Sequence, residues 1–250
     1  MSREQEMPKY QQIAADLRAA IVDGDYAPGA RLPGENALMS EYGVARMTAR
    51  QALAALISEG LAVSRKGSGV FVREFRQIVR DGVSRLASAK WGRGSSIWSS
   101  DTQNRTLKVD QMTIDEVEPP THIRSALDLS GDETVICRSR RYVLDGKPIL
   151  LASSYLPSRI AHGTRMVERD TGSGGIYARL SEIGYEPVHF QEDLRARMPL
   201  LPEVDQLKLD PATPVVDIVR IAYTEDGQPV EVNEMTADSS AYIFRYRFDT

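Results

Sequence analysis

The 250-residue chain contains one cysteine, Cys137, so no disulfide can close within it and a reducing compartment is expected. Its three histidines, His122, His162 and His189, are too scattered to form a metal set. No apolar run is long enough to span a bilayer, and the polar start MSREQEMPKY lacks the apolar core of an export signal. A cytoplasmic protein with no membrane partner is the expectation. Catalytic signatures are equally scarce. Gly172-Ser173-Gly174-Gly175 matches neither a phosphate-binding P-loop nor a nucleophile elbow, and reads as a loop before a helix. Catalytic residues, metal ligands and cofactors are therefore left unassigned.

Excess positive charge is also missing, since the net charge is -4. The charge is unevenly placed, however. Residues 1–80 hold eleven Lys/Arg and nine Asp/Glu, a balance of +2, which leaves -6 for the rest. Salt screens exposed charges beyond roughly 8 Å at physiological ionic strength, so local surface decides what the chain binds. An acidic second half discourages indiscriminate association with nucleic acid.

Positions 1–73 have the pattern of a winged helix-turn-helix. Ile13, Leu17 and Ile21 recur at helical spacing after Pro8, and Gly24 stops that helix. Leu32-Pro33-Gly34-Glu35 opens a second helix, with Glu35 near the positive end of its dipole. A third runs from about Arg46 to Glu59 with Leu53, Leu56 and Ile57 inward. Leu61-Ala62-Val63 and Val70-Phe71-Val72 then read as strands joined by a basic glycine turn. Arg46 and Arg50 lie at i and i+4, so both project from one face near the start of the third helix. Arginine's planar fork matches the O6/N7 edge of guanine in the major groove.

Three stretches, YQQIAADLRAAIVDGDYAPGARLPGENAL, YGVARMTARQAL and EGLAVSRKGSGVFV, resemble in order and spacing the N-terminal domain of the GntR family of bacterial transcription regulators. The resemblance implies a double-stranded DNA operator as partner. On the third helix it points to Arg46, Met47, Thr48, Arg50 and Gln51. On the wing it points to Arg65, Lys66 and Gly67, with Arg31 ahead of the second helix expected to meet phosphate. Two positions depart from the family pattern. Ala45 stands where a serine or threonine commonly caps the third helix, and Gly34 where a serine is common.

Residues 74–106 read as a linker, with a helix expected over Arg80–Lys90. Beyond it the chain repeats itself. Leu127-x-Leu129, Val135 and YVLDGKPILL reappear at a constant offset as Leu207-x-Leu209, Val215 and AYTEDGQPVEV, until Glu225 is inserted before the second turn. Each copy reads as a short helix, a strand, an Asp-Gly turn and a second strand. Between the copies, Gly175–Gly184 fits a helix and Val188–Arg197 a strand. The expected fold class is α+β, with an antiparallel sheet of pseudo-twofold character over residues 107–250. Clefts between such related halves suit small ligands.

RRYVLDGKPILLASSYLP, GIYARLSEIGYEPVHFQEDLRAR and DGQPVEV resemble the UTRA effector-binding domain of the HutC-type branch of the GntR family. That resemblance implies a chorismate lyase-like, six-stranded antiparallel sheet that binds a small molecule and forms a homodimer. Candidate effector contacts are Arg138 and Arg140, whose paired guanidinium groups suit an anionic carboxylate or phosphate. Glu192 and Glu231 could orient hydroxyl or amine groups, and Tyr246 could line the wall. Many sugar-responsive relatives have glutamate three residues before the tyrosine of the YLP motif. Here that position is Ala152, which counts against an amino-sugar phosphate. The resulting expectation is a dimeric repressor on an inverted repeat, controlled by an effector. A lyase-like enzyme with a DNA-tethering module and an effector-free DNA-binding dimer remain as alternatives.

Overall fold

A computed structural model of the chain describes residues 7–74, 77–82, 86 and 107–247. The chain divides into two compact units. The first runs to residue 76 and also takes in Leu209–Thr213; the second comprises Gln77–Lys208 and Pro214–Thr250.

In the first unit three helices, α1 (Lys9–Val22), α2 (Glu35–Tyr42) and α3 (Arg46–Ser58), precede a hairpin of β1 (Ala62–Arg65) and β2 (Gly69–Val72). Ile13, Leu17, Leu32, Leu38, Leu53, Leu56 and Val72 meet in one core. Arg18 of α1 forks onto Glu59 at the end of α3 at 2.6 and 2.8 Å. Gly43, in the left-handed region at φ 63°, makes the tight turn between α2 and α3. Neither α2 nor α3 has a side-chain cap at its start, where Gly34 and Ala45 stand.

The second unit centres on a six-stranded antiparallel sheet in the order β4-β5-β6-β9-β8-β7. Its strands are β4 (Leu107–Val117), β5 (Val135–Leu144), β6 (Lys147–Pro157), β7 (His189–Arg197), β8 (Val215–Tyr223) and β9 (Pro229–Asp238). Short helices α4 (Thr121–Ala126) and α7 (Leu201–Leu207) precede β5 and β8. Helix α5 (Ser158–Ala161) follows β6, and α6 (Gly175–Glu182) precedes β7. The duplication is thus larger than the sequence pattern shows. Strands β4 and β7 are themselves counterparts, so each half is a strand, a helix and a hairpin. The halves join at β6 and β9, with Leu150 opposite Ala237 and Ser154 opposite Asn233.

One expectation changes here. The stretch read as linker contains β3 (Ile78–Asp81), which pairs in parallel with β10 (Tyr242–Arg245) and belongs to the second unit. Ile78 joins a core with Tyr142, Leu144, Met235 and Tyr242. Arg80, expected in a helix, lies in this strand and is buried as well. A buried arginine hides the alternation that would have revealed the strand. The rest of the expected Arg80–Lys90 helix, apart from Asp81, Gly82 and Leu86, lies outside the described residues.

Candidate functional site

Two sites emerge, one in each unit. In the first, Ala49, Ala52, Leu53 and Leu56 bury one side of α3, so its opposite side projects outward. Arg46, Met47, Arg50 and Gln51 are exposed there, and Thr48 is half-buried. Glu35, in the first turn of α2, reaches both arginines. Arg50 Nε donates to its Oε1 at 2.8 Å, and Arg46 Nε lies 3.7 Å from its Oε2. Arg46 Nη2 also donates to Asn36 Oδ1 at 3.2 Å. From its sequence position Glu35 has only a helix-dipole role; the bridge exists only because α2 and α3 pack together.

The wing gathers the remaining basic residues. Arg65 ends β1 with its guanidinium 4.3 Å from the Phe71 ring centroid. Lys66 and Gly67 are exposed at the turn, where Gly67 adopts φ 74°. Arg31 belongs here rather than with α2. Its backbone bridges to Phe71, and its Nε would sit 3.0 Å from a Cβ added at Gly69. Exposed cations are thus gathered on and beside one hairpin.

In the second unit a single line of ladder partners crosses five strands: Arg138, Ser154, Asn233, Arg220 and Glu192. Arg138, Ser154, Asn233 and Arg220 are at most 1% exposed. Side chains directly opposite in neighbouring strands share a face, so this is one buried polar row. A cavity of about 340 Å³ lies over it, lined by Arg138, Arg140, Tyr142, Tyr177, Arg220, Glu231 and Asn233 among others. Gly174, at φ 81°, and Gly175 border it where α6 begins.

The two expected arginines differ in their surroundings. Arg138 donates to the carbonyls of Met166 at 2.5 Å and Glu168 at 2.6 Å. Burial, helped by neighbouring Arg140, pulls its pKa down to about 10, so it stays charged at neutral pH. Arg140 is half-buried and donates to the Ser154 hydroxyl, and its Nε has no partner among the described residues. Glu231 is 2% exposed, and among the described residues Asn233 Oδ1 has no hydrogen-bond partner. Burial pushes Arg220 down, but Tyr177, Glu231 and Glu192 outweigh it and raise the pKa overall. Burial also holds the Tyr177 phenol well above its ordinary value.

Glu192 and Tyr246 fall elsewhere than expected. Glu192 accepts a two-pronged bond from Arg80, with Nη1 at 2.9 Å, and lies 3.7 Å from Arg220 Nη1. It does not line the cavity, because a buried cation on β3 claims it. Tyr246 packs its ring over Gly82, leaving no room for a Cβ there. Conversely, Arg220, Asn233, Ser154 and Tyr177 were not anticipated. One signal was available for Arg220, which holds the place in the second copy of the repeat that Arg140 holds in the first.

Comparison with known proteins agrees with both halves. Residues 9–72 match the family of bacterial regulatory proteins named gntR, and residues 102–243 match the UTRA domain. The chain is 31% identical over 249 residues to an uncharacterized HTH-type transcriptional regulator of Streptomyces coelicolor, covering 96% of this chain and 93% of the relative. It is 23% identical over 255 residues to the HTH-type transcriptional repressor NagR of Bacillus subtilis, covering 100% and 98%. A crystal structure assigned to the GntR-family regulators superposes with a TM-score of 0.68 at 26% identity, over 98% of each chain. The chain therefore belongs to the GntR family of transcription regulators, with a winged helix-turn-helix DNA-binding domain followed by a UTRA effector-binding domain.

Proposed function

We propose that this regulator acts as a cytoplasmic homodimer that represses from an inverted-repeat operator, and that a small anionic effector in the UTRA cavity changes its DNA affinity. Two winged domains related by a twofold axis match an operator with the same symmetry. The repressor role follows the printed name of the NagR relative.

The observation that supports the effector class is the charge balance of the cavity. Among the described residues Arg138 has carbonyl partners and Arg140 a hydroxyl, and neither pairs with a carboxylate. A glutamate at Ala152 would face Arg140 directly across the ladder. With alanine there, the guanidinium charge is left for a ligand to neutralise. Asn233 Oδ1 is a buried acceptor without a donor among the described residues, and costs about 1–3 kcal/mol until satisfied. An anion that also bears hydroxyl or ammonium donors meets both needs. Glu231 is the one carboxylate on the described cavity wall and stands among guanidinium groups, not beside a nucleophile. We therefore read the cavity as a binding site without turnover.

A thermal-shift screen of phosphate esters, carboxylates and inorganic phosphate tests this reading. At least one anion should raise the melting temperature of the wild type and raise that of Arg140→Ala much less. Equal shifts in the two proteins, or no shift by any anion, would remove the cavity assignment.

A further inference from the structure

We propose that Glu35 is a positioning residue for DNA reading: its carboxylate sets how Arg46 and Arg50 are presented and so controls base selectivity. This rests on the reading that these two arginines contact base edges. Arg46 and Arg50 are like charges at i and i+4, an arrangement that is repulsive alone. Glu35 sits between them from another helix, bonded to Arg50 Nε at 2.8 Å and 3.7 Å from Arg46 Nε. Helix α3 has no side-chain cap at Ala45, so this bridge and the Arg46–Asn36 hydrogen bond tie its first turns to α2.

The geometry leaves the reading ends open. Glu35 takes Nε of Arg50, and both terminal nitrogens of that guanidinium have no other partner among the described residues. An end-on fork of two N–H groups is what the O6/N7 edge of guanine accepts. Asn36 holds Arg46 Nη2, and Nη1 has no hydrogen-bond partner among the described residues. Arginine side chains lose substantial rotamer freedom on ordering, and a tether in the free protein bears part of that loss before DNA arrives.

The carboxylate also acts against the wrong complex. A negative charge facing the phosphate backbone is tolerated when both arginines neutralise it in the seated complex. It repels phosphate in a loosely bound, unseated one. Specificity gained by penalising the alternative is a general device. The arginine side chains are 61% and 62% exposed, and exposed ion pairs contribute little to folding. The effect of Glu35 should therefore show in selectivity and leave stability nearly unchanged.

The test uses the full-length protein. Preferred duplexes are selected from a random-sequence pool with wild type. Fluorescence anisotropy then compares wild type, Glu35→Gln and Arg50→Ala on the selected duplex and on a scrambled one. For Glu35→Gln, the ratio of specific to non-specific affinity should fall by about tenfold, within the range of one bidentate base contact. Non-specific affinity should rise, and the melting temperature should stay within about 2 °C of wild type. The base pair that loses its influence in Arg50→Ala should also lose influence in Glu35→Gln. A ratio within about twofold of wild type in Glu35→Gln, with Arg50→Ala clearly impaired, would overturn the proposal. Full discrimination by Arg50→Ala would instead remove the arginine assignment on which the proposal rests.

Discussion

Arg138 and Arg140 stand at i and i+2 on one strand, yet their surroundings give them different tasks. Arg138 anchors the chain around Met166–Arg169 through backbone carbonyls, at 1% exposure. Arg138→Ala would orphan those carbonyls and should cost about 1–3 kcal/mol in a urea melt. Arg140 has one hydroxyl partner among the described residues and lines the cavity. Arg140→Ala should change stability little and remove the melting-temperature response to anions. If Arg140→Ala unfolds the protein while Arg138→Ala does not, this division is reversed. A similar contrast holds on the DNA side. Arg50→Ala should lose about 1–3 kcal/mol of operator affinity and relax selectivity at one base pair. Lys66→Ala, at the exposed wing tip, should weaken all duplexes alike and flatten the salt dependence by about one unit of slope. Gel-shift titrations at several salt concentrations separate the two behaviours.

At the scale of elements, missing and present caps make opposite predictions. Helix α3 begins at Ala45 without a capping side chain. Ala45→Ser should stabilise the DNA-binding unit by about 1 kcal/mol, read as a rise in its unfolding midpoint. Helix α7 is well held at its start. Glu203 accepts from the Leu200 amide and from both Nη groups of Arg197, each at 2.7 Å. Arg197 in turn bonds Asp217 on β8. The Arg197 hydrogen bonds keep the Glu203 carboxyl below its ordinary 4.5. A depressed carboxylate pKa contributes stability that is present above the unfolded value and lost as pH falls through the folded one. Glu203→Gln should therefore be less stable than wild type at pH 7, by about 1 kcal/mol, with the gap closing below the ordinary value of 4.5. A gap that does not begin to narrow as pH falls below 4.5 would show that the charge is not responsible. Helices and hairpins of this kind were readable in the chain, because period and turn residues are local properties. Helix α3 and the Asp145-Gly146 turn, where Asp145 has φ 50°, fall where expected. Strand β3 was not readable. Its reason to be a strand is β10, close to the opposite end of the chain, and its buried face includes an arginine paired with Glu192.

At the scale of the molecule, the duplication explains both the architecture and what escaped the sequence reading. Two copies of one unit meet at β6 and β9. The polar row from Arg138 to Glu192 crosses that seam, drawing residues from positions 138, 154, 192, 220 and 233. They come from five separate strands, and only strand register aligns them. Arg138, Arg140 and Glu231 were reachable from motif position; Ser154, Asn233 and Tyr177 depend on the assembled sheet. The charge division follows the same plan, with a balance of +2 over residues 1–80 and -6 over the rest. Under the proposed function, occupancy of this cavity alters DNA affinity, which requires the ligand to bind the two DNA-binding arrangements unequally. The most direct measurement is operator affinity of wild type and Arg140→Ala, each titrated with the anion that most raises the wild-type melting temperature. Wild-type affinity should change by about 5–150-fold at saturation, the usual range of coupling between sites, and that of Arg140→Ala should barely move. Saturating occupancy of the wild type with unchanged operator affinity would contradict the account.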